Sequence, residues 1–308
     1  MSPTILIAGA VGPIGQYLIR ELVGRSQPVR VLTRRVPGLT QRHYDPFVEY
    51  VGTSPDAIGA PDGLLDGIEH VVFLSPPAPD QVMWNGVLIE AAERTGRPIH
   101  LVPVLAMGAV ATDAALQFVR WHTVTIAQMR SSDLPVTELH PQLLMQNLLP
   151  SATSVRRDDL IFGAYGGARL PQIDAQDVAA AVATVLTTET HRGGTHVLTG
   201  PQSLSYPEVA DALSRVTGRV IRYVDMAPEA FHEHLIGNGV PPWKADDLAQ
   251  LGRLFQQDHA WPVSSTMAEL TGRPARPLHQ FLRTHAGAFR PDGTPGLQHA
   301  GLPSFFLL

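Results

Sequence analysis

The stretch ILIAGAVGPIGQYLIREL, residues 5–22, decides the fold. An apolar run stops at Gly9, glycines recur at Gly12 and Gly15, and an apolar pattern of helical spacing begins at once. A strand that ends in a glycine turn and feeds a helix aims bare backbone N–H groups at one point. The helix dipole adds about half a positive charge there. Gly9 permits the tight turn. Gly12 lets a pyrophosphate approach the backbone with no Cβ in the way, and Gly15 lets the helix pack close to the strand. Pro13 suits the first helical turn, where its missing N–H costs nothing. With Val11 and Ile14, these residues, at spacing G-x-x-G-x-x-G, read as a dinucleotide-phosphate turn; a merely structural glycine turn in a vestigial or empty fold is the alternative.

The surrounding chain repeats the strand–helix pattern. Apolar runs at Thr4–Ala8, Val29–Thr33, Val48–Val51, His70–Leu74, Ile99–Val104, Val136–Leu139 and His196–Leu198 read as strands. Stretches of 3.6-residue spacing read as helices: Ile14–Val23, Gln81–Thr95, Ala115–Ser131 and Ala175–Thr187. Runs apolar throughout fit strands covered on both faces, and the alternation implies parallel strands with right-handed crossovers. After residue 200 the texture changes to helices at Tyr206–Thr217, Pro228–Gly237 and Lys244–Phe255, separated by Pro-rich joints. The stretch Phe289–Leu308 is rich in Gly and Pro and ends in Phe305, Phe306, Leu307 and Leu308. It reads as an irregular tail whose apolar end docks on the body or on a second subunit, so a homodimer stands as an option.

Composition narrows the function. The 308 residues are 44% hydrophobic and 17% charged, a globular balance with room for two domains. The net charge of −5, with no run of like charges, argues against a nucleic-acid partner. There is no cysteine, which excludes disulfides, thiol catalysis and cysteine-ligated zinc. The start lacks the order of a secretory signal, and no apolar run reaches the ~18 residues of a membrane span. The expectation is a cytoplasmic protein with a small-molecule substrate.

The second strand selects the dinucleotide. An NAD site usually carries an acidic residue near that strand's end, for the ribose 2′-hydroxyl. Here Thr33, Arg34 and Arg35 stand in its place. An arginine there attracts a 2′-phosphate, so NADP(H) is the expected cofactor; a solvated arginine pair is the alternative. Other strand ends should line the same crevice: Thr53 after the third, Leu74, Ser75 and Pro76 after the fourth, Val104 and Leu105 after the fifth.

These segments resemble the NmrA-like family of atypical short-chain dehydrogenase/reductases. The first glycine turn is similar to that family's GATGxxG fingerprint. VFLSPPAP, NGVLIEAAERTGRP, Trp121-His122, SSDLPVTELHPQLLMQN, LPQIDAQDVAAAVATVL and GTHVLTGPQSLSYPEVADALSRVTGR then resemble successive family segments, in order, from residue 4 to about 285. The resemblance implies an α/β, doubly wound parallel sheet (Rossmann) with a smaller, mainly helical C-terminal substrate domain. The expected division is 1–155 plus about 174–200 for the nucleotide-binding domain, and 156–173 with 201–308 for the substrate domain. It implies NAD(P) binding and, in many members, reduction of quinones or other small electrophiles; other members sense the cofactor's redox state. The chain departs from the family at Val11, where Thr is usual, and at Thr53, where Asp is usual. It also lacks the Glu expected shortly after His122, and His140 replaces an Arg.

The Tyr-x-x-x-Lys pair of typical short-chain dehydrogenases is ruled out. Lys244 is the one lysine, and no tyrosine lies between Tyr50 and Tyr165. His122, where the family's helix borders the nicotinamide pocket, and His140, at a strand end before Pro141, are the candidate proton donors. Each has a purely structural alternative. Gln142 and Asn147 are candidates to orient a carbonyl, and His232, His234 and Trp243 to border the substrate. HEHL lacks the second histidine of HExxH, so no metal is assigned. The leading expectation is an NADPH-dependent reductase of a small aromatic or quinonoid substrate. The alternatives are a cofactor-binding redox sensor without turnover, and a redox-neutral cyclase, dehydratase or isomerase.

Overall fold

The protein is described from a computed structural model. It covers residues 4–33, 45–53, 59–74, 78–105, 116–257 and 261–291. The apolar run of the opening stretch forms β1 (Ile5–Ala8), buried at every position. Helix α1 (Pro13–Gly24) follows. The next strands are β2 (Val29–Thr33), β3 (Val48–Gly52), β4 (His70–Phe73) and β5 (His100–Pro103). They pair in parallel in the order β3-β2-β1-β4-β5. Bridges between Leu101 and Val136 and between Val104 and Leu139 carry the sheet on to β6 (Glu138–Pro141), which pairs in parallel with β8 (Thr195–Leu198). The strand order reverses between β1 and β4, which places the first glycine turn at a topological switch point.

The helices cover both faces. On one, α1 packs on α5 (Ala175–Thr187), and α9 (Thr266–Thr271) packs on α5 in turn. Helix α5 reads AQDVAAAVATVLT, and its alanines let neighbours approach from several sides; ten of its residues are buried. Asp174 caps it by accepting from the Gln176 N–H at 2.9 Å. On the other face lie α2 (Gln81–Arg94) and α3 (Gln117–Ser131), joined by the buried Asn85–Thr125 hydrogen bond. Two apolar clusters fill the layers, one under α1 and α5 and one under α2 and α3.

A third core lies under the C-terminal helices α6 (Tyr206–Thr217), α8 (Pro242–Gln257) and α10 (Leu278–Thr284). Leu116, Phe118 and Val119, at the start of α3, belong to it. The two elements that follow β6, a 3-10 turn over Met145–Ser151 and α4 (Ala152–Asp158), also pack there, with α7 (Pro228–Gly237) alongside α8 and α11 (Ala286–Phe289) against α4.

Most expected elements appear within one to three residues of their predicted bounds. Strands β7 (Leu160–Gly163) and β9 (Arg222–Asp225) were not foreseen; they pair in parallel outside the main sheet. Strand β9 (RYVD) carries a charge at each end and no buried position, while β7 (LIFG) is apolar but only four residues long and only half-buried. Helices α4, α9, α10 and α11 run to seven residues or fewer, too short for a periodic pattern. The expected tail, most of Phe289–Leu308, lies outside the described residues.

Candidate functional site

The turn after β1 has the geometry its glycines imply. Gly9 takes φ 87°, a left-handed conformation that favours glycine. Gly12 is the N-cap of α1 with φ −74° and ψ 171°, and Pro13 opens the helix. The two later glycines differ in kind. A Cβ on Gly15 would stand 2.6 Å from the Ala10 carbonyl oxygen and 2.7 Å from its carbon, so the bare residue lets helix and turn touch. A Cβ on Gly12 would meet no atom of the described residues within 4 Å. The fold therefore demands glycine at 15, whereas at 12 it leaves backbone bare toward open space. The Gln16 side chain donates to the Val11 carbonyl at 3.2 Å and steadies the turn, while Val11 is exposed and Ile14 packs partly on the core.

Because the strands are parallel, their carboxyl ends share the edge where this turn lies. The Leu74 N–H donates to the Ala8 carbonyl at 2.8 Å, and the Thr53 N–H to Thr33 at 3.0 Å. Leu105 donates to Leu139 at 2.9 Å. Thr33, Val104 and Leu105 are buried. Thr33, Thr53, Leu74, Val104 and Leu105 thus sit beside Gly9–Gly15 along one edge. Arg34, Arg35, Ser75 and Pro76 lie outside the described residues.

Helix α3 lies between β5 and β6 in the chain, and its first turns pack into the C-terminal core. His122 is buried there, edge-on to Phe118 with ring centroids 5.8 Å apart. Trp121 meets Trp243 of α8 at 5.0 Å. His140 lies beneath α3 on β6. Its Nε2 is 3.0 Å from Oε2 of Glu138, and Arg130 of α3 donates to the other carboxylate oxygen at 2.7 and 2.9 Å. His140 is thus oriented by a carboxylate two residues away on the same strand face. Its Nδ1 is buried and has no hydrogen-bond partner among the described residues. Asn147 Oδ1 is in the same condition, and Gln142 is buried at the end of β6. Gln146, by contrast, is committed to structure, donating to Asp174 at 2.8 Å and accepting from the Ala175 N–H at 3.0 Å.

The two histidines of HEHL part company. His232 pairs with Asp246 at 3.0 Å in an acidic cleft of about 400 Å³ between α7 and α8, beside Glu229 and Glu233. His234 stacks on Phe162 at 4.8 Å. Lys244 is buried in the first turn of α8, and burial pushes its ammonium down to about 8. Tyr165, Tyr206 and Tyr223 stack in the C-terminal core, where burial raises all three phenols, Tyr165 to about 12. Among the described residues, no group of three or more histidines and carboxylates could hold a metal ion, and no helix is long and apolar enough to cross a membrane.

Two features were not foreseen. Glu138 as the partner of His140 was legible, since residues two apart in a strand share a face. Asp247, which accepts from the Gln117 and Phe118 N–H groups at the start of α3, comes from 130 and 129 residues away. No local pattern announces it.

A parallel sheet with its switch point at a glycine turn, and a helix N-terminus aimed along the carboxyl edge, defines a nucleotide-binding fold of the Rossmann type. The chain belongs to the NmrA-like family, which it matches over residues 1–271. It is 34% identical to the NAD(P)H azoreductase of Xenophilus azovorans, over 92% of this chain and 99% of that one. It is 32% identical to (4-alkanoyl-5-oxo-2,5-dihydrofuran-3-yl)methyl phosphate reductase of Streptomyces griseus, over 94% and 100%. The NADPH-dependent quinone oxidoreductase of Escherichia coli, solved with NADPH, shares the fold with a TM-score of 0.79 at 22% identity, over 92% of this chain and 99% of that one.

Proposed function

We propose that the protein is an NADPH-dependent reductase of a small, conjugated, aromatic or quinonoid acceptor. The observation that carries this reading is Gly12, bare toward open space at the N-terminus of α1, where nothing among the described residues excludes a side chain. A pyrophosphate accounts for it: the anion accepts from the N–H groups of the turn and lies along the helix dipole. Thr33 and Thr53 border the adenosine side, and Arg34 and Arg35, next in sequence after β2, are the proposed readers of a 2′-phosphate. Val104 and Leu105 give the nicotinamide an apolar wall.

When bound, NADPH supplies a hydride and leaves as NADP⁺. The chain's own residues then hold the acceptor flat against the nicotinamide and deliver one proton to balance the two electrons. His122, in the first turns of α3, is the proposed donor at the acceptor. His140, oriented by Glu138, is the second candidate. We assign residues 156–173 and 201–308, which carry α6 to α8, to the acceptor side of the crevice. The two curated relatives support the acceptor class, because an azo bond and an unsaturated lactone both present an electron-poor conjugated double bond to hydride. The test is the loss of NADPH absorbance against a panel of quinones and azo compounds. Turnover with one acceptor class is expected; NADPH binding with no turnover on any of them would return the protein to the sensor alternative.

A further inference from the structure

The first turn of α3 is unusual in how its backbone is satisfied. A helix leaves its first N–H groups without intrahelical partners, and a Ser, Thr, Asp or Asn at the N-cap usually supplies the acceptor. Here the N-cap is Leu116, wholly buried and with no side-chain cap. The acceptor comes from elsewhere. Asp247, in the middle of α8 and itself buried, accepts from the Gln117 N–H at 2.7 Å through Oδ1 and from the Phe118 N–H at 3.0 Å through Oδ2. Burial pushes its carboxyl up, and the two amides offset part of that rise. The same two helices meet again one turn on, where Trp121 packs on Trp243. Leu251 and Phe255 of α8 share a core with Leu116 and Phe118.

We infer that Asp247 is a positioning residue: by capping α3 from the C-terminal part of the chain, it fixes Trp121 and His122 over the acceptor. This role rests on the reductase reading. A local cap would stabilise α3 equally well but would leave its start independent of α8. The cap observed ties the acceptor's two walls together through one carboxylate. It leaves the nucleotide turn untouched, because α1 and α3 cover opposite faces of the sheet. The substrate side and the cofactor side should therefore respond differently to its loss.

The experiment compares the native chain with Asp247→Ala, Asp247→Asn and, as a control for lost stability on the far face, Leu270→Ala. Three quantities are measured: amide hydrogen exchange, the NADPH dissociation constant, and KM and kcat for a naphthoquinone or, where the panel shows turnover only there, for an azo acceptor. In Asp247→Ala the Gln117 and Phe118 amides should exchange at least tenfold faster, with α1 unchanged. NADPH affinity should stay within twofold, while KM for the acceptor rises at least fivefold and kcat falls by less. Asp247→Asn keeps one acceptor and should fall between. Leu270→Ala should leave NADPH affinity and KM native and should not single out Gln117 and Phe118, any faster exchange being spread over the core as its lost stability dictates. Unchanged exchange at Gln117 and Phe118 overturns the proposal, and so does faster exchange with a native KM. Native protein that fails to bind NADPH, or to reduce any quinone or azo compound of the panel, brings down the reductase reading and this role together. NADPH-binding, acceptor-reducing protein whose KM ignores Asp247 brings down the role alone.

Discussion

Replacing Gly12 and Gly15 by alanine, one at a time, separates what the fold needs from what the cofactor needs. At Gly15 the new methyl would sit 2.6 Å from the Ala10 carbonyl oxygen, more than half an ångström inside ordinary contact. The obstructing atoms are backbone and cannot rotate away, so the cost belongs at the upper end of the overpacking range, about 3 kcal/mol. At a specific entropy of ~2.1 cal/mol/K per residue, a chain this long loses roughly 5 °C of Tm for that amount. At Gly12 the methyl meets no atom of the described residues, and φ −74°, ψ 171° is open to alanine. A modest loss of N-cap preference is offset by the ~0.4–1 kcal/mol gained when a glycine leaves the unfolded chain. The Tm of Gly12→Ala should therefore stay within about 1 °C of native, since its net ΔΔG is near zero. Binding reverses the order. The Gly12→Ala methyl occupies the approach to the turn's N–H groups, and one lost hydrogen bond to a charged phosphate is worth about 1.5–3 kcal/mol, or ten- to a hundredfold in affinity. Thermal melts with calorimetric titration of NADPH read both effects. Gly12→Ala binding NADPH as tightly as native protein would refute the reasoning, because the pyrophosphate would then not lie on this turn.

Three further outcomes are expected. At the amino edge of the sheet, His70 and His100 meet Nδ1 to Nδ1 at 3.3 Å, and His100 Nε2 reaches the Thr137 hydroxyl at 2.8 Å. Burial, then His70 and Arg192, press His100 down to about 4. The unfolded chain therefore takes up its proton first: stability is full above pH ~6.5 and falls by up to about 3 kcal/mol as pH drops toward 4. Urea unfolding across that window should show His100→Gln with a flatter acid limb; equal limbs would rule out the pair as the cause. Arg34→Ala should weaken NADPH at least tenfold while sparing NADH, a loss of about 1.4 kcal/mol or more at the 2′-phosphate. Equal losses for both nucleotides in titration would show that the arginine reads no 2′-phosphate. His122→Gln should retain NADPH affinity and lose turnover by about a hundredfold or more, the usual worth of a general acid; native rates would remove His122 from the mechanism.

What was legible in the sequence followed from burial on both sides. Strands β1, β2, β4 and β5 are buried at every position because helices cover each face of the sheet, and their mostly apolar residues, broken only by Arg30, Thr33, His70 and His100, are recognisable without a partner. Gly9, Gly12 and Gly15 announced the turn because backbone shape is a local property. Strands β7 and β9 escaped notice because each buries only part of its surface, and the partner that makes it a strand lies some 60 residues away. In the site, the position of His122 could be read from the order of segments. The tie between α3 and Asp247 could not, because an aspartate inside a helix looks like a solvated residue until the fold brings Gln117 and Phe118 to it.

The central claim is that the bare turn at Gly12 holds a nicotinamide dinucleotide phosphate. Calorimetric titration of the native chain with NADPH, NADP⁺, NADH and NAD⁺ tests it most directly. One site per chain is predicted, with the phosphorylated nucleotides bound at least tenfold more tightly than their unphosphorylated counterparts. No saturable heat with any of the four would contradict the account at its root.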